Sequence, residues 1–167
     1  MYLALTDLYR AKWSETIQEE FIQSVLKNRP DIPESYLQTT KDLMNKNVRD
    51  ALVKDYEPFI PGLTLPDEND RHVLAAAIKG NAQVIVTYNL KDFPEETLKP
   101  YGIQAQHPDE FITHLIDLDF YRVCRAVRQH RAAFQNPPKS REEYLEMIEK
   151  KGLVSTASLL REMTEPI

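Results

Sequence analysis

The segment from Pro66 to Phe93 constrains the fold of this chain most strongly, because acidic residues stand on both sides of a helical pattern and a β-branched run. Apolar residues in its first half recur at the spacing of one helical stripe. They are Val73, Leu74, Ala77 and Ile78. Gly80 ends the predicted helix, and residues 82–87 predict a central strand of a parallel sheet. The segment therefore predicts an α-β unit with acids at both ends.

Asp70 belongs to the same stripe, since it precedes the members by three, four, seven and eight residues. Its carboxylate should point toward the buried face from the first helical turn, where an ionised carboxylate is costly unless a partner balances it. Asp67 suggests an alternative, because two acids at this spacing before a helix also resemble a capping pair. A partnered site and helix capping both remain open for these two residues.

Two polar residues follow the predicted strand. Asn89 and Asp92 lie just beyond its C-terminal end. Ligands of open α/β sheets bind at the carboxyl ends of the strands, so both residues occupy a position typical of a functional site. A surface turn rich in Asn and Asp is the ordinary alternative.

A further acid lies on an early helix. Ser14 predicts the N-cap of a helix that runs to about Lys27, and Glu20 lies at the edge of its apolar arc. A solvated boundary charge is the usual explanation for such a Glu. Glu20, Asp70 and Asp92 nevertheless place carboxylates on three separate elements, which suits a site for Mg²⁺ or Mn²⁺. Such a site can activate a water molecule and neutralise charge on a phosphodiester.

The remaining patterns predict an α/β domain followed by helices. Outside the acidic segment, the predicted elements are helices at 33–45 and 108–116 and short strands at 9–13, 51–53 and 103–105. Beyond them, every predicted element is helical, with a capping box at Ser140 and a break at Gly152. We therefore expect an α/β domain over residues 1–117 and a helical extension over residues 118–167.

Composition limits the class of protein. With 167 residues, 42% hydrophobic and 28% charged, the chain suits one soluble domain with a small appendage. No stretch predicts a membrane span or a signal peptide, so we expect a cytoplasmic protein with no membrane partner. The single Cys124 excludes an internal disulfide and is expected in the core. The spacing expected of metal ligands is missing from all four histidines: His72, His107, His114 and His130.

A row of arginines lies in the predicted extension. Arg122, Arg125, Arg128 and Arg131 recur at every third position, and residues 120–131 contain no acid. A solvated helix face is the ordinary interpretation, and contact with RNA or an acidic partner is the alternative. The net charge of −5 gives the chain no global attraction to nucleic acid.

Residues 67–93, DENDRHVLAAAIKGNAQVIVTYNLKDF, resemble the second half of a PIN domain, the nuclease fold of VapC-type toxins. Residues 13–21, WSETIQEEF, are similar to the early helix of that family. The resemblance covers about residues 1–117, and the later helices resemble a C-terminal extension found on one branch of VapC-like proteins. It implies a PIN-like three-layer α/β/α fold with a parallel sheet, plus a C-terminal helical extension.

The resemblance also implies an activity, a metal and partners. The implied metal ligands are Glu20, Asp67, Asp70 and Asp92, of which Glu20, Asp70 and Asp92 would be catalytic. The implied substrate contacts are Thr87 and Asn89. The activity would be Mg²⁺- or Mn²⁺-dependent hydrolysis of structured RNA such as tRNA, inhibited by a cognate antitoxin protein.

One part of the family pattern has no counterpart in this sequence. A PIN domain begins with a strand that ends in an Asp ligand, whereas Met1 to Leu5 resembles the region near the end of the next helix. A truncation, a late start, or another copy or partner that fills the gap would each explain this. A sheet that lacks its central strand leaves backbone groups unpaired, so we expect a homo-oligomer with weakened nuclease activity.

Two other functions remain open. A catalytically weak or inactive PIN fold would serve as a protein-binding module. An unrelated α/β nucleotide binder is less consistent with the sequence, because the chain has four glycines and no glycine-rich phosphate loop.

Overall fold

The computed structural model describes residues 1–162 and residue 167. Its helices are α1 (Glu15–Asn28), α2 (Glu34–Asn47), α3 (Arg71–Lys79), α4 (Glu95–Leu98), α5 (Pro108–Leu118), α6 (Phe120–Ala132), α7 (Arg141–Lys150) and α8 (Val154–Glu162). The strands are β1 (Val84–Val86) and β2 (Gln104–Gln106). The α/β class, with a small parallel sheet and C-terminal helices, is confirmed. None of the helices in the described range combines the length and apolar character needed to cross a membrane.

The chain forms two compact units, each with its own hydrophobic core. The central unit comprises Arg10–Ile85 and Asn89–Ala105. The terminal unit comprises Met1–Tyr9, Val86–Tyr88 and Gln106–Ile167. Buried side chains form one cluster in each unit. The expected division into an N-terminal α/β domain and a helical extension stays a prediction.

α3 supplies much of the core of the central unit. Leu74 and Ala75 are both 0% exposed. The buried face of α3 differs from the predicted stripe. His72 is buried although it lies outside the stripe, whereas Val73 and Ile78 are only half buried. Short alanine side chains let neighbouring segments approach the helix closely, so the core surrounds more of α3 than one apolar stripe.

Gly80 ends α3 as predicted, although its own backbone is ordinary. Its φ is −80°, and the next residue, Asn81, adopts the left-handed conformation with φ of 51°. A Cβ on Gly80 would lie 3.0 Å from the Ala76 carbonyl oxygen and 3.0 Å from Cγ2 of Val53. Glycine therefore suits this position because neighbouring groups approach closely, while Asn81 makes the change of direction.

The sheet pairs β1 with β2. Next to this pairing, the Thr87 N–H donates to the Gln106 carbonyl at 3.0 Å. Within the described chain, β1 has one strand neighbour, and Val86 is 44% exposed. The prediction of a central strand, covered on both faces and paired on both edges, is therefore wrong for the described residues.

The predicted strands at 9–13 and 51–53 are reduced to a single parallel bridge at Trp13. The Trp13 N–H donates to a backbone carbonyl of the second segment at 2.9 Å, and its carbonyl accepts a hydrogen bond at 2.8 Å. Asp50 and Asp55 adopt positive φ values of 52° and 56° on either side of that segment. These left-handed residues end the extended backbone, so no longer strand forms.

The helices α5, α6, α7 and α8 build the terminal unit around the second core. Leu145 and Leu160 are 0% exposed, and Leu3 and Leu8 from the N-terminal segment pack against the same cluster. Cys124 is buried in this core, as predicted. The terminal unit therefore depends on both the first residues and the last helices of the chain.

Asp109 on α5 binds the N-terminus of α8 within the terminal unit. Its carboxylate accepts the backbone N–H groups of Ser155 and Thr156, both at 2.8 Å. Such N–H groups in a first helical turn have no helical carbonyl to bind. Burial raises the pKa of Asp109, but the hydrogen bonds from Thr156 and Ser155 lower it by more, so the net pKa lies below its ordinary value.

The arginine row on α6 is not uniformly solvated. Arg131 donates to the backbone carbonyl of Ile167 at 2.8 Å and to that of Lys139 at 2.7 Å. It therefore holds two segments of the terminal unit together, a role that the regular spacing did not predict. Arg125 and Arg128 are exposed, and a solvated face or a contact with a partner both remain open for them.

Candidate metal centre

Three aspartates from two separate stretches meet in the central unit. Asp67, Asp70 and Asp92 each offer one carboxylate oxygen, and these oxygens all lie within 4.8 Å of one another. Asp67 and Asp70 stand at the two ends of the short turn that precedes α3, and Asp92 ends a similar turn after β1. The fold thus brings the two acidic ends of the segment together.

The capping interpretation applies to Asp67 and not to Asp70. The Asp67 carboxylate accepts the backbone N–H of Asn69 at 2.9 Å and caps the turn before α3. Asp70 occupies the N-cap position of α3, but its side chain makes no capping hydrogen bond. Its carboxylate therefore faces the other acids without the local bond that would explain its position.

The charge of Asp70 is disfavoured by its surroundings. Burial raises its pKa first, and the neighbouring carboxylates of Asp67, Asp92 and Glu20 raise it further. His72 acts in the opposite direction and lowers the pKa. A cation held between these carboxylates would reverse the repulsion, since an opposite charge favours the ionised form.

Glu20 lies next to the three aspartates but outside their group, and it pairs with His72. The Nε2 atom of His72 is 2.9 Å from Oε1 of Glu20. His72 is 9% exposed, whereas the side chain of Glu20 is 56% exposed. The sequence led us to expect Glu20 in this site but gave His72 no role, because a lone histidine shows no ligand spacing and its contact spans 52 positions of sequence.

Asn89 and Thr87, the predicted substrate contacts, have different surroundings. The Asn89 side-chain amide donates to Oδ2 of Asp92, so Asn89 adjoins the aspartate group. Thr87 belongs to the terminal unit, where its backbone N–H binds the Gln106 carbonyl. Contact of either residue with a substrate stays a prediction.

The donor set fits a hard divalent cation. Mg²⁺ prefers oxygen ligands at about 2 Å, which places ligands on opposite sides of the ion about 4 Å apart. The carboxylate oxygens, all within 4.8 Å of one another, are close enough for one ion to lie between them. Asp67, Asp70 and Asp92 would hold the ion, with other positions open to water and phosphate.

Comparison with known proteins places this geometry in a family. A model of the PIN domain matches residues 3–91. The chain belongs to the PIN domain family. This match includes Glu20, Asp67 and Asp70, and it ends one residue before Asp92. A second family model, the VapC50 C-terminal domain, matches residues 108–162, so the expected resemblance to a VapC-type PIN protein with a C-terminal extension is confirmed.

A relative of this PIN-domain chain is the protein named "Putative ribonuclease VapC50" from Mycobacterium tuberculosis strain ATCC 25618 / H37Rv. The two are 61% identical over 49 residues. That stretch is 29% of this chain and 29% of the relative, so the match covers well under two thirds of either protein. No solved structure matches the chain.

Proposed function

We propose that this PIN-domain chain is a metal-dependent endoribonuclease of a toxin-antitoxin system. The observation that carries the proposal is the meeting of Asp67, Asp70 and Asp92 within 4.8 Å in the central unit. An acidic cluster alone is common on protein surfaces. Here it coincides with membership of the PIN domain family and with a relative named a ribonuclease.

In the proposed site, some side chains would bind the metal ion and others would orient the side chains that bind it. Asp67, Asp70 and Asp92 would bind Mg²⁺ or Mn²⁺ through carboxylate oxygens. When bound there, the ion would polarise a water molecule and neutralise charge that develops on the phosphodiester. The Asn89 amide orients the Asp92 carboxylate by donating to Oδ2, and Glu20 adds a further negative charge beside Asp70.

The proposal includes the substrate and the partners. The substrate is structured RNA such as tRNA, and the exposed Arg125 and Arg128 are candidates for phosphate contacts. A cognate antitoxin protein inhibits the enzyme, which acts in the cytoplasm as a homo-oligomer. Thr87 and Asn89 contact the RNA.

A binding module without catalysis is the second candidate. Large apolar side chains on the first two helices favour it, because Phe21 is 48%, Tyr36 65% and Leu43 45% exposed. Exposed apolar side chains of this kind are common where a protein partner binds. Such a module would bind its partner whether or not the aspartates hold a metal ion.

Titration calorimetry with Mn²⁺ and an RNA cleavage assay separate the two functions. We expect Asp70→Asn to abolish both Mn²⁺ binding and cleavage, because it removes a carboxylate at the centre of the group. Asp42→Asn on the exposed face of α2 is the matched control and should change neither. Mn²⁺ binding of equal strength in Asp70→Asn and the unmodified chain would refute the metal centre. Binding without any cleavage of structured RNA would favour the binding module.

A further inference from the structure

We infer that His72 is a positioning residue, which holds the Glu20 carboxylate beside the aspartates of the metal centre. The inference rests on the proposed function and adds a residue to its site. The contact joins a buried ring on α3 to an exposed side chain on α1, with 2.9 Å between Nε2 and Oε1. The carboxylate accepts the hydrogen bond from the ring.

The burial of His72 makes its ring a fixed support. The ring lies on the buried face of α3, two residues after Asp70, so its orientation follows that of the helix that carries Asp70. Glu20 has a long side chain on an exposed helix face and would otherwise sample several rotamers. A hydrogen bond to a fixed ring selects one of them, and it does so next to Asp70.

The other ring nitrogen shows that this bond is the main polar contact of His72. Among the described residues, Nδ1 is buried and has no hydrogen-bond partner. Of the two ring nitrogens, only Nε2 has a polar partner among the described residues, and that partner is the Glu20 carboxylate. A histidine that served only to fill the core would need neither the bond to Glu20 nor the unpaired nitrogen, because an apolar side chain fills the same space.

Hydrogen bonds that orient the carboxylates around a metal centre commonly matter to metal binding, and their loss costs about 10–100-fold in metal affinity. We therefore expect His72→Leu to weaken Mn²⁺ binding by about that factor in calorimetry. His72→Gln retains an N–H donor on a side chain of similar length and should restore most of the affinity. His114→Leu, at an exposed histidine of α5, is the control and should leave the affinity unchanged.

Thermal unfolding of the metal-free variants distinguishes positioning from packing. A purely structural His72 predicts a lower melting temperature for His72→Leu with unchanged Mn²⁺ affinity of the folded fraction, and that result would overturn the inference. Glu20→Gln alters an exposed side chain, so it should fold and weaken Mn²⁺ binding even where His72→Leu does not fold. Unchanged Mn²⁺ affinity in Glu20→Gln would equally overturn it.

A double-mutant cycle tests whether His72 acts through Glu20. The combined variant His72→Leu with Glu20→Gln should bind Mn²⁺ no more weakly than the poorer single variant, because both changes remove the same interaction. Fully additive losses would contradict the inference.

The Asp70→Asn variant distinguishes a failure of the proposed function from a failure of the role of His72. If it retains Mn²⁺ binding, the proposed function fails; if it alone loses binding, the metal centre stands and only the role of His72 fails.

Discussion

At Asp70 the folded chain holds a carboxylate where burial and three neighbouring acids all oppose its charge. Its pKa is raised, so the folded state retains the proton to a higher pH than the unfolded chain. This contribution to stability therefore decreases as the pH rises from the ordinary value of 3.8 through the raised pKa. Near neutral pH and without metal, Asp70 opposes folding slightly.

Asp70→Asn should therefore make the metal-free protein as stable as the unmodified chain or slightly more stable at pH 7. The expected gain is at most about 0.5 kcal/mol, because Asp70 is partly solvated. At a Mn²⁺ concentration of 100 times its Kd, the unmodified protein alone should gain about 2.7 kcal/mol. Urea unfolding with and without Mn²⁺ measures both effects. A large loss of stability in metal-free Asp70→Asn would mean that the carboxylate serves the fold.

Asp109 makes the stability of the fold depend on pH in the opposite direction to Asp70. Its pKa is lowered in the folded state, so its stabilising effect is present above the ordinary value of 3.8 and disappears as the pH falls through the lowered pKa. Asp109→Ala leaves two helix N–H groups unsatisfied and should cost about 1–3 kcal/mol at pH 7. Asp117→Ala, on the exposed face of the same helix, should cost far less. Unfolding curves at pH 7 and in acid should show the difference between the variants shrinking at low pH.

Single residues were predictable where their cause is local. Asp70 was predicted as a site residue because its spacing to the apolar stripe is a property of one helix. Asp92 was predicted because it follows a strand in the sequence. The pairing of His72 with Glu20 and the bonds of Arg131 to Lys139 depend on segments that meet only in the folded chain. No periodicity of one element contains that information.

At the scale of elements, helix boundaries followed the sequence, whereas only the strands predicted at 82–87 and 103–105 form, as β1 and β2. The helix beginning after Ser14 was predictable because its cap is a short-range bond, from the Ile17 N–H to the Ser14 hydroxyl at 3.2 Å. The strand predicted at 51–53 forms a single bridge, and the left-handed backbone of Asp50 and Asp55 limits the extended segment on both sides. Aspartate can adopt the left-handed conformation but does not require it, so these two residues gave little warning of it in the sequence.

Gly80 tests the packing between elements. The methyl group in Gly80→Ala would approach the Ala76 carbonyl and Val53 to 3.0 Å, closer than ordinary contacts. We expect a loss of about 1–3 kcal/mol, as for other overpacked positions. Gly62→Ala is the control, because a Cβ there meets no atom within 4 Å. Thermal denaturation compares the two variants, and equal melting temperatures would show that the segment around Val53 moves aside freely.

At the scale of the whole molecule, two separate cores predict two separate responses to a cavity. Leu145 in the terminal unit and Leu74 in the central unit are both 0% exposed. Replacing either by Ala should cost about 2–5 kcal/mol. Hydrogen exchange should accelerate mainly in the terminal unit for Leu145→Ala, which should retain Mn²⁺ affinity. Leu74→Ala should accelerate exchange around the aspartates. Equal acceleration in both units would indicate one cooperative structure.

The order in which the chain is synthesised has a consequence for these two units. All segments of the central unit have been made once Ala105 leaves the ribosome, and they include every carboxylate of the candidate metal centre. The terminal unit joins Met1–Tyr9 to helices that are made after Ala105, so its first segment must wait for α8. A growing chain can therefore assemble the aspartate cluster while translation is still in progress, and close the second core only afterwards.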